Sequence, residues 1–173
     1  MTLNGLQERL IDEVEGISKD MCLTDSRGQP AKLKGYPQSI PVISLFRDWK
    51  EADGQEDMDF GAHRDGEDVF PYFVVRIDGV EYQVDDKDGQ GNRARVFLVF
   101  AVADESPEMK GYYTLTALME RVVQRFQENQ ALGPFWCSRK MNVVYQEDDT
   151  FPQFFSGIEM LWYLPEMEQE GFW

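Results

Sequence analysis

Residues 95–103 read Arg-Val-Phe-Leu-Val-Phe-Ala-Val-Ala and carry the strongest strand signal in the chain. The middle of this run is apolar on both faces, which favours a strand in the interior of a sheet. Before it come the polar stretch 85–92 and residues 70–84, which alternate between two faces. Two strands joined by a polar turn predict an antiparallel hairpin. Asp78-Gly79 leaves two readings open, a tight turn or a bulge within one long strand.

The clearest helical pattern lies downstream of this hairpin, at residues 113–129. A single apolar stripe at helical spacing is formed by Leu115, Leu118, Met119, Val122, Val123 and Phe126. Thr114 is the predicted N-cap. Residues 132–134, Leu-Gly-Pro, are predicted to end the element.

A second hairpin is predicted after the helix. Residues 140–146 alternate, residues 147–152 form a polar turn, and residues 154–164 return as a strand. The proline at position 165 closes the strand, because proline lacks the backbone N–H that a strand interior needs.

The N-terminal part supplies one more helix and one more strand. Residues 3–23 repeat apolar side chains every three or four positions and predict a helix, and residues 40–47 predict a short strand that begins or lies at an edge near Pro41. Residues 48–68 are rich in Asp, Glu and Gly and predict a long acidic loop, and residues 166–173 form a short acidic tail. We therefore expect a single α+β domain over residues 1–173. It would be a mostly antiparallel sheet of about five strands, built from two hairpins with two helices packed on it.

Composition excludes several classes of protein. A hydrophobic fraction of 42% supports a buried core and argues against disorder. The net charge of −15 repels phosphate backbones and anionic membranes. The longest apolar run, residues 96–103, is far too short to span a bilayer. The N-terminus shows no signal-peptide pattern, so we expect a cytosolic folding compartment in which Cys22 and Cys137 stay reduced, although their sequence positions alone leave a disulfide open.

Three motifs suggest chemistry, and each fails a specific test. His63 is the only histidine and lies in the acidic loop with no catalytic motif around it. The turn beginning at Asp86 resembles a calcium loop, but Gln90 stands at its fifth position and Phe97 at its twelfth, where a bidentate Glu belongs. Gly89-Gln90-Gly91 is followed by no helix and no phosphate-binding lysine. We expect no catalytic residue, no metal and no cofactor.

Two further groups of residues are weaker candidates for a functional site. The carboxylates at 53–59 and 147–149 fall in polar turns, where water keeps such groups ionised. The aromatic run at 151–155 and Trp162-Tyr163 can form a stacking platform, or alternate rings can pack under the helix while the others cover the second sheet face. A third reading makes the outward rings a protein-contact patch.

Four pieces of the chain, in order, resemble one family. They are residues 70–76 (Phe-Pro-Tyr-Phe-Val-Val-Arg), residues 95–105 leading into 111–121 (Gly-Tyr-Tyr-Thr-Leu-Thr-Ala-Leu-Met-Glu-Arg), the helix end at 127–134, and residues 151–165 with their aromatic–proline corner and closing Trp-Tyr-Leu-Pro. Together they resemble the tail terminator, or tail-completion, proteins of long-tailed bacteriophages and of prophages in Gram-positive bacteria. The resemblance covers about residues 69–165, while residues 48–68 match nothing in that family.

The resemblance implies a structural role. It implies a ring of identical subunits, commonly six, that caps the tail tube and docks to the head-side connector, first in the host cytoplasm and then in the virion tail. It implies no catalytic residues. If the acidic turns line the bore of such a ring, they would repel passing DNA and keep it from adhering. The alternatives are another head–tail connector or head-closure component and, from a different class, an acidic inhibitor that mimics DNA; an enzyme is disfavoured.

Overall fold

The structure, a computed structural model, describes residues 2–40, 68–82, 91–108 and 110–165. Two helices and six strands lie within those residues. Their bounds are Leu3–Ser18 (α1), Lys34–Pro37 (β1), Tyr72–Glu81 (β2), Asn92–Ala103 (β3), Gly111–Glu128 (α2), Ala131–Leu132 (β4), Phe135–Tyr145 (β5) and Gln153–Leu164 (β6).

All six strands form one sheet in the order β1-β2-β3-β6-β5-β4. The β1–β2 pair is parallel, and the other four pairs are antiparallel. The α+β class is therefore confirmed. The sheet is mostly antiparallel, as expected, but the expected number of about five strands is corrected to six in a mixed sheet. The sequence did not predict β1 and β4, because these short strands pair without any alternation in their own sequence. The strand predicted at 40–47 lies, except for Ile40, outside the described residues, and Ile40 is not in a strand.

Strand β3 is central, as its apolar run predicts, and it lies between β2 and β6. Its even-numbered side chains, such as Leu98 and Phe100, belong to the main core under the helices. Its odd-numbered side chains, such as Arg95 and Phe97, lie on the opposite side of the sheet, which we call the open face. Asp78-Gly79 resolves as a bulge within β2, since the pairing with β3 shifts between Ile77 and Gly79.

The two helices cover one face of the sheet. Helix α1 packs on β1 and β2, while α2 packs on β3, β6 and β5. Helix α1 begins after Thr2, whose hydroxyl accepts a hydrogen bond from the Gly5 N–H, and it ends at Ser18 rather than at residue 23. Edge-to-face packing of Phe126 on Trp162, with ring centroids 5.2 Å apart, anchors α2 to β6.

Two predicted boundaries of α2 are wrong. The helix begins at Gly111 after Lys110, so Thr114 lies inside it and is not the N-cap. The helix ends at Glu128, and Gly133-Pro134 instead makes the two-residue turn between β4 and β5. Gly133 has a φ of 60°, which suits the first position of such a turn. The last strands also start early, β5 at Phe135 and β6 at Gln153.

Candidate interaction surface

Among the strands that the structure describes, β5 has a long stretch with a neighbour on one side only. Its first residues pair with β4 through Trp136 and Phe135. From Met141 to Tyr145, the strand that β5 pairs with in the described part of the chain is β6. We call residues 141–145 the β5 edge. Such an edge offers unpaired backbone donors and acceptors to another chain.

One hydrogen bond shows which backbone groups of the β5 edge point away from β6. The Gln146 N–H donates to the Phe155 carbonyl at 3.3 Å, so Gln146 is turned toward β6. Antiparallel ladders alternate between bonded and non-bonded pairs. Asn142 and Val144 therefore direct their backbone groups to β6, whereas Met141, Val143 and Tyr145 direct theirs away from the sheet.

Three of the five side chains of the β5 edge are apolar and exposed. Val143 is 42% exposed, Val144 45% and Tyr145 43%. Phe151 in the following turn and Tyr113 in the first turn of α2 are also large exposed hydrophobic residues. Exposed apolar side chains on an unpaired strand edge are a hazard that soluble proteins avoid unless the edge binds something.

Tyr145 is held in place by α2. Its hydroxyl is 2.8 Å from the Thr116 Oγ1, and its ring lies edge-on to Tyr112 with the centroids 6.4 Å apart. A fixed aromatic ring loses little conformational entropy when a partner covers it. The Tyr145 ring is thus preorganised for contact with a partner.

Charges of opposite sign flank the β5 edge. Arg139 and Lys140 precede it, and Glu147, Asp148 and Asp149 follow it; all five are exposed. The surface therefore has a basic end, an apolar middle and an acidic end.

A groove on the open face lies beside this surface. Its volume is about 450 Å³, and its polar lining includes Arg76, Arg95, Lys140, Asp78 and Glu159. Three cations against two carboxylates make it a basic spot in a chain of net charge −15. Such a groove can hold a carboxylate-bearing segment by charge-assisted hydrogen bonds.

The aromatic residues of β6 lie on the two faces of the sheet in turn, as the alternation of the sequence predicts. Phe154 and Trp162 are buried under the helices. Phe155 is half-buried on the open face, in a smaller cluster with Phe70, Ala101 and Ala103. The exposed ring of this region is Phe151, in the turn next to the β5 edge.

Several residues singled out in the sequence lie outside the described part of the structure. These are His63, the carboxylates at 53–59 and the calcium-like turn with Gly89 and Gln90. Among the residues that are described, no group of three or more His, Cys, Asp or Glu side chains could hold a metal ion. No helix in the described ranges is long and apolar enough to cross a membrane.

The sequence predicts a strand at 140–146 but not that this strand offers an exposed apolar edge. The sequence feature that indicates such an edge is a run of three consecutive apolar residues. Basic residues at 139–140 precede this run, and acidic residues at 147–149 follow it. Comparisons of the sequence with protein-family models and with curated proteins give no match.

Proposed function

We propose that this chain is a structural assembly protein, a phage tail terminator that forms a ring at the head-proximal end of the tail tube and joins it to the head connector. The observation that carries the proposal is the β5 edge. Its outward backbone groups at Met141, Val143 and Tyr145 and its exposed apolar side chains suit strand pairing with another subunit. The proposal assigns no catalytic residue and no cofactor.

The strand order supports a ring in a second way. A closed ring needs head-to-tail contacts between two different surfaces of each subunit. Strand β1 borders one side of the sheet, and the β5 edge lies near the other. Each subunit can therefore present one edge to the neighbour before it and a different edge to the neighbour after it.

The position of the acidic turns refines the hypothesis about DNA passage. Residues 147–149 lie near the Ala103 end of β3, where the Asp104 N–H donates to the Pro152 carbonyl at 2.8 Å. Glu81 and Asn92, which flank the acidic segment 83–90 in the chain, lie at the opposite end of the same strands. Eleven strand steps separate Asn92 from Ala103, roughly 37 Å. We therefore propose that the strands run along the bore axis, with the acidic turn at 147–149 near one mouth of the ring.

The test is assembly on a tail tube. We would co-express the chain with the proteins encoded beside its own gene and image the products by negative-stain electron microscopy. We expect tubes of defined length with a ring of this protein at one end. Tubes that assemble with no bound copy of this protein would refute the terminator role.

A matched pair of variants ties the result to the β5 edge. Val143→Lys places a charge on the edge, which blocks strand pairing, and we expect capped tubes to disappear. Tyr82→Lys is the control, since Tyr82 is 53% exposed but lies beyond the end of β2. Equal capping by both variants would show that the ring uses another surface.

A further inference from the structure

We propose that two copies of the free protein pair through their β5 edges. The strands would run antiparallel about a two-fold axis at Val143, and the sheets of the two copies would become continuous. The inference does not depend on the proposed function. It concerns the unassembled chain, in which the pairing would cover the edge that a ring uses.

The backbone geometry allows this register. Met141, Val143 and Tyr145 all direct their N–H and C=O groups away from β6, as the Gln146–Phe155 hydrogen bond establishes. A two-fold axis at Val143 places Val143 opposite itself and Met141 opposite Tyr145 of the second copy. The unpaired N–H and C=O groups of one copy thus face those of the other copy, as an antiparallel ladder requires.

The side chains match in the same register. Met141 packs on the main core and Tyr145 contacts α2, so Val143 between them lies on the helix side of the sheet. A two-fold axis perpendicular to the sheet keeps the helix side of both copies together. Val143 would then be covered by its own counterpart and by the two Tyr145 rings, which removes exposed apolar surface from water.

The charges at the two ends of the β5 edge favour a second copy of the chain as its partner, with the two β5 strands antiparallel. Arg139 stands four residues before Val143, and Glu147 stands four residues after it. Antiparallel pairing brings Arg139 and Lys140 of each copy toward residues 147–149 of the other copy, and the symmetry repeats this contact. Parallel pairing would set basic against basic and acidic against acidic. Opposite charges across neighbouring strands stabilise their pairing, and like charges oppose it.

The first experiment measures mass against concentration by sedimentation equilibrium at low salt. We expect a monomer–dimer equilibrium for the wild type. The backbone N–H that Val143→Pro removes faces away from β6, so the variant should keep its fold by circular dichroism and raise the dimer dissociation constant at least about tenfold. Tyr82→Lys should dimerise like the wild type. A wild type that stays monomeric at millimolar concentration, or a Val143→Pro variant that dimerises equally well, overturns the proposal.

The second experiment uses charge reversal at exposed positions that take no part in the core. One variant carries Arg139→Glu and Lys140→Glu, so that both ends of its edge are acidic. The other carries Glu147→Lys and Asp148→Lys, so that both ends are mainly basic. Each alone should dimerise at least about tenfold more weakly than the wild type, because like charges now meet.

An equimolar mixture of the two reversed variants should form heterodimers of near wild-type affinity, because each acidic end meets a basic end. Failure of the mixture to associate overturns the antiparallel pairing. The dimer is measured on the free protein and capping on tail tubes. A wild type that caps tubes but stays monomeric when free refutes only the dimer, and one that dimerises but caps no tube refutes only the terminator role.

Discussion

A methyl group added to the Cα of Gly111 would clash with the ring of Phe154. Phe154 is 2% exposed, and Tyr112 packs edge-on against it with the ring centroids 4.8 Å apart. The ring is therefore buried and held against a second ring. The first residue of α2 touches β6 through this contact, and only glycine allows the approach.

We predict that Gly111→Ala destabilises the protein by about 1–3 kcal/mol, the usual cost of overpacking a filled core. Alanine is the better helix former, so helix propensity alone predicts the opposite sign. Urea unfolding at neutral pH, followed by circular dichroism, measures the change in the free energy of unfolding. A stabilised variant would show that the first turn of α2 does not rest on Phe154.

Gly16 provides the matched control for that substitution. It also lies in a helix, but a methyl group added there would meet nothing within 4 Å. Gly16→Ala should therefore stabilise the protein by about 0.5–1 kcal/mol through the gain in helix propensity. A loss of stability for Gly111→Ala together with a gain for Gly16→Ala would show that packing decides the first change and helix propensity the second.

The same contact explains which parts of the fold the sequence predicts. Strands β3 and β6 and the body of α2 follow from periodicity, because each is long and has one buried face. The start of α2 depends on the fit between Gly111 and Phe154, which joins residues far apart in the chain. Strand β1 depends similarly on α1, where the Glu15 carboxylate accepts the Gly35 N–H at 2.9 Å. Local patterns carry no information about such pairings.

The candidate surface also combines a part that local sequence patterns predict with a part that depends on long-range pairing. Alternation at 140–146 predicts a strand, and the strand is present. At Val143 and Val144, the partner strand of β5 within the described residues is β6, so the other side of β5 is left uncovered by those residues. That depends on the order of strands in the sheet. The sequence itself shows only the local part of this surface, three consecutive apolar residues between basic residues at 139–140 and acidic residues at 147–149.

The apolar stripe of α2 gives the largest expected loss of stability. Val122 is fully buried in the main core. Val122→Asp places a carboxylate there without a partner and should cost about 3–5 kcal/mol. Ala117→Asp adds the same charge at an exposed position of α2 and should cost less than about 1 kcal/mol. Similar urea midpoints for the two variants would mean that the helix is rotated relative to the sheet.

Arg121 has a role that its place on the polar face of α2 does not suggest. Its Nη1 donates to the Asp20 Oδ1 at 2.6 Å and to the Ile17 carbonyl at 3.2 Å, joining α2 to the end of α1. The hydrogen bond from Arg121 lowers the pKa of Asp20 below its ordinary value of 3.8. A lowered carboxyl pKa contributes stability that is present above that ordinary value and is lost as the pH falls through the folded-state pKa.

We therefore predict that Arg121→Met lowers the melting temperature at neutral pH and that the difference from wild type shrinks below pH 3.8. The pair is exposed to solvent, so high salt should also reduce the effect. Asp20→Asn supplies the control background, in which the Arg121→Met difference should not change with pH. A pH-dependent difference that persists in that background would assign it to another carboxylate.

The two cysteines should differ in reactivity. Both are free, with Cys22 exposed and Cys137 buried. Burial raises the pKa of the Cys137 thiol from 9.0 to about 12, and its Sγ donates to the Ser138 carbonyl at 3.3 Å. Because the thiolate is the reactive form, a buried thiol with a raised pKa is inert. At pH 8, a chromogenic disulfide reagent should modify one thiol rapidly, and Cys22→Ser should abolish that fast phase.

The raised pKa of Cys137 also predicts how stability varies in alkali. Well below pH 9.0 the thiol is protonated in both the folded and the unfolded chain. Above that value the unfolded chain releases the proton and the folded chain does not, so stability falls until the pH reaches about 12. Cys137→Ala removes this term, and its urea midpoint should fall less steeply than that of the wild type between those two values. Parallel curves for the two proteins would show that the thiol ionises equally well in the folded state.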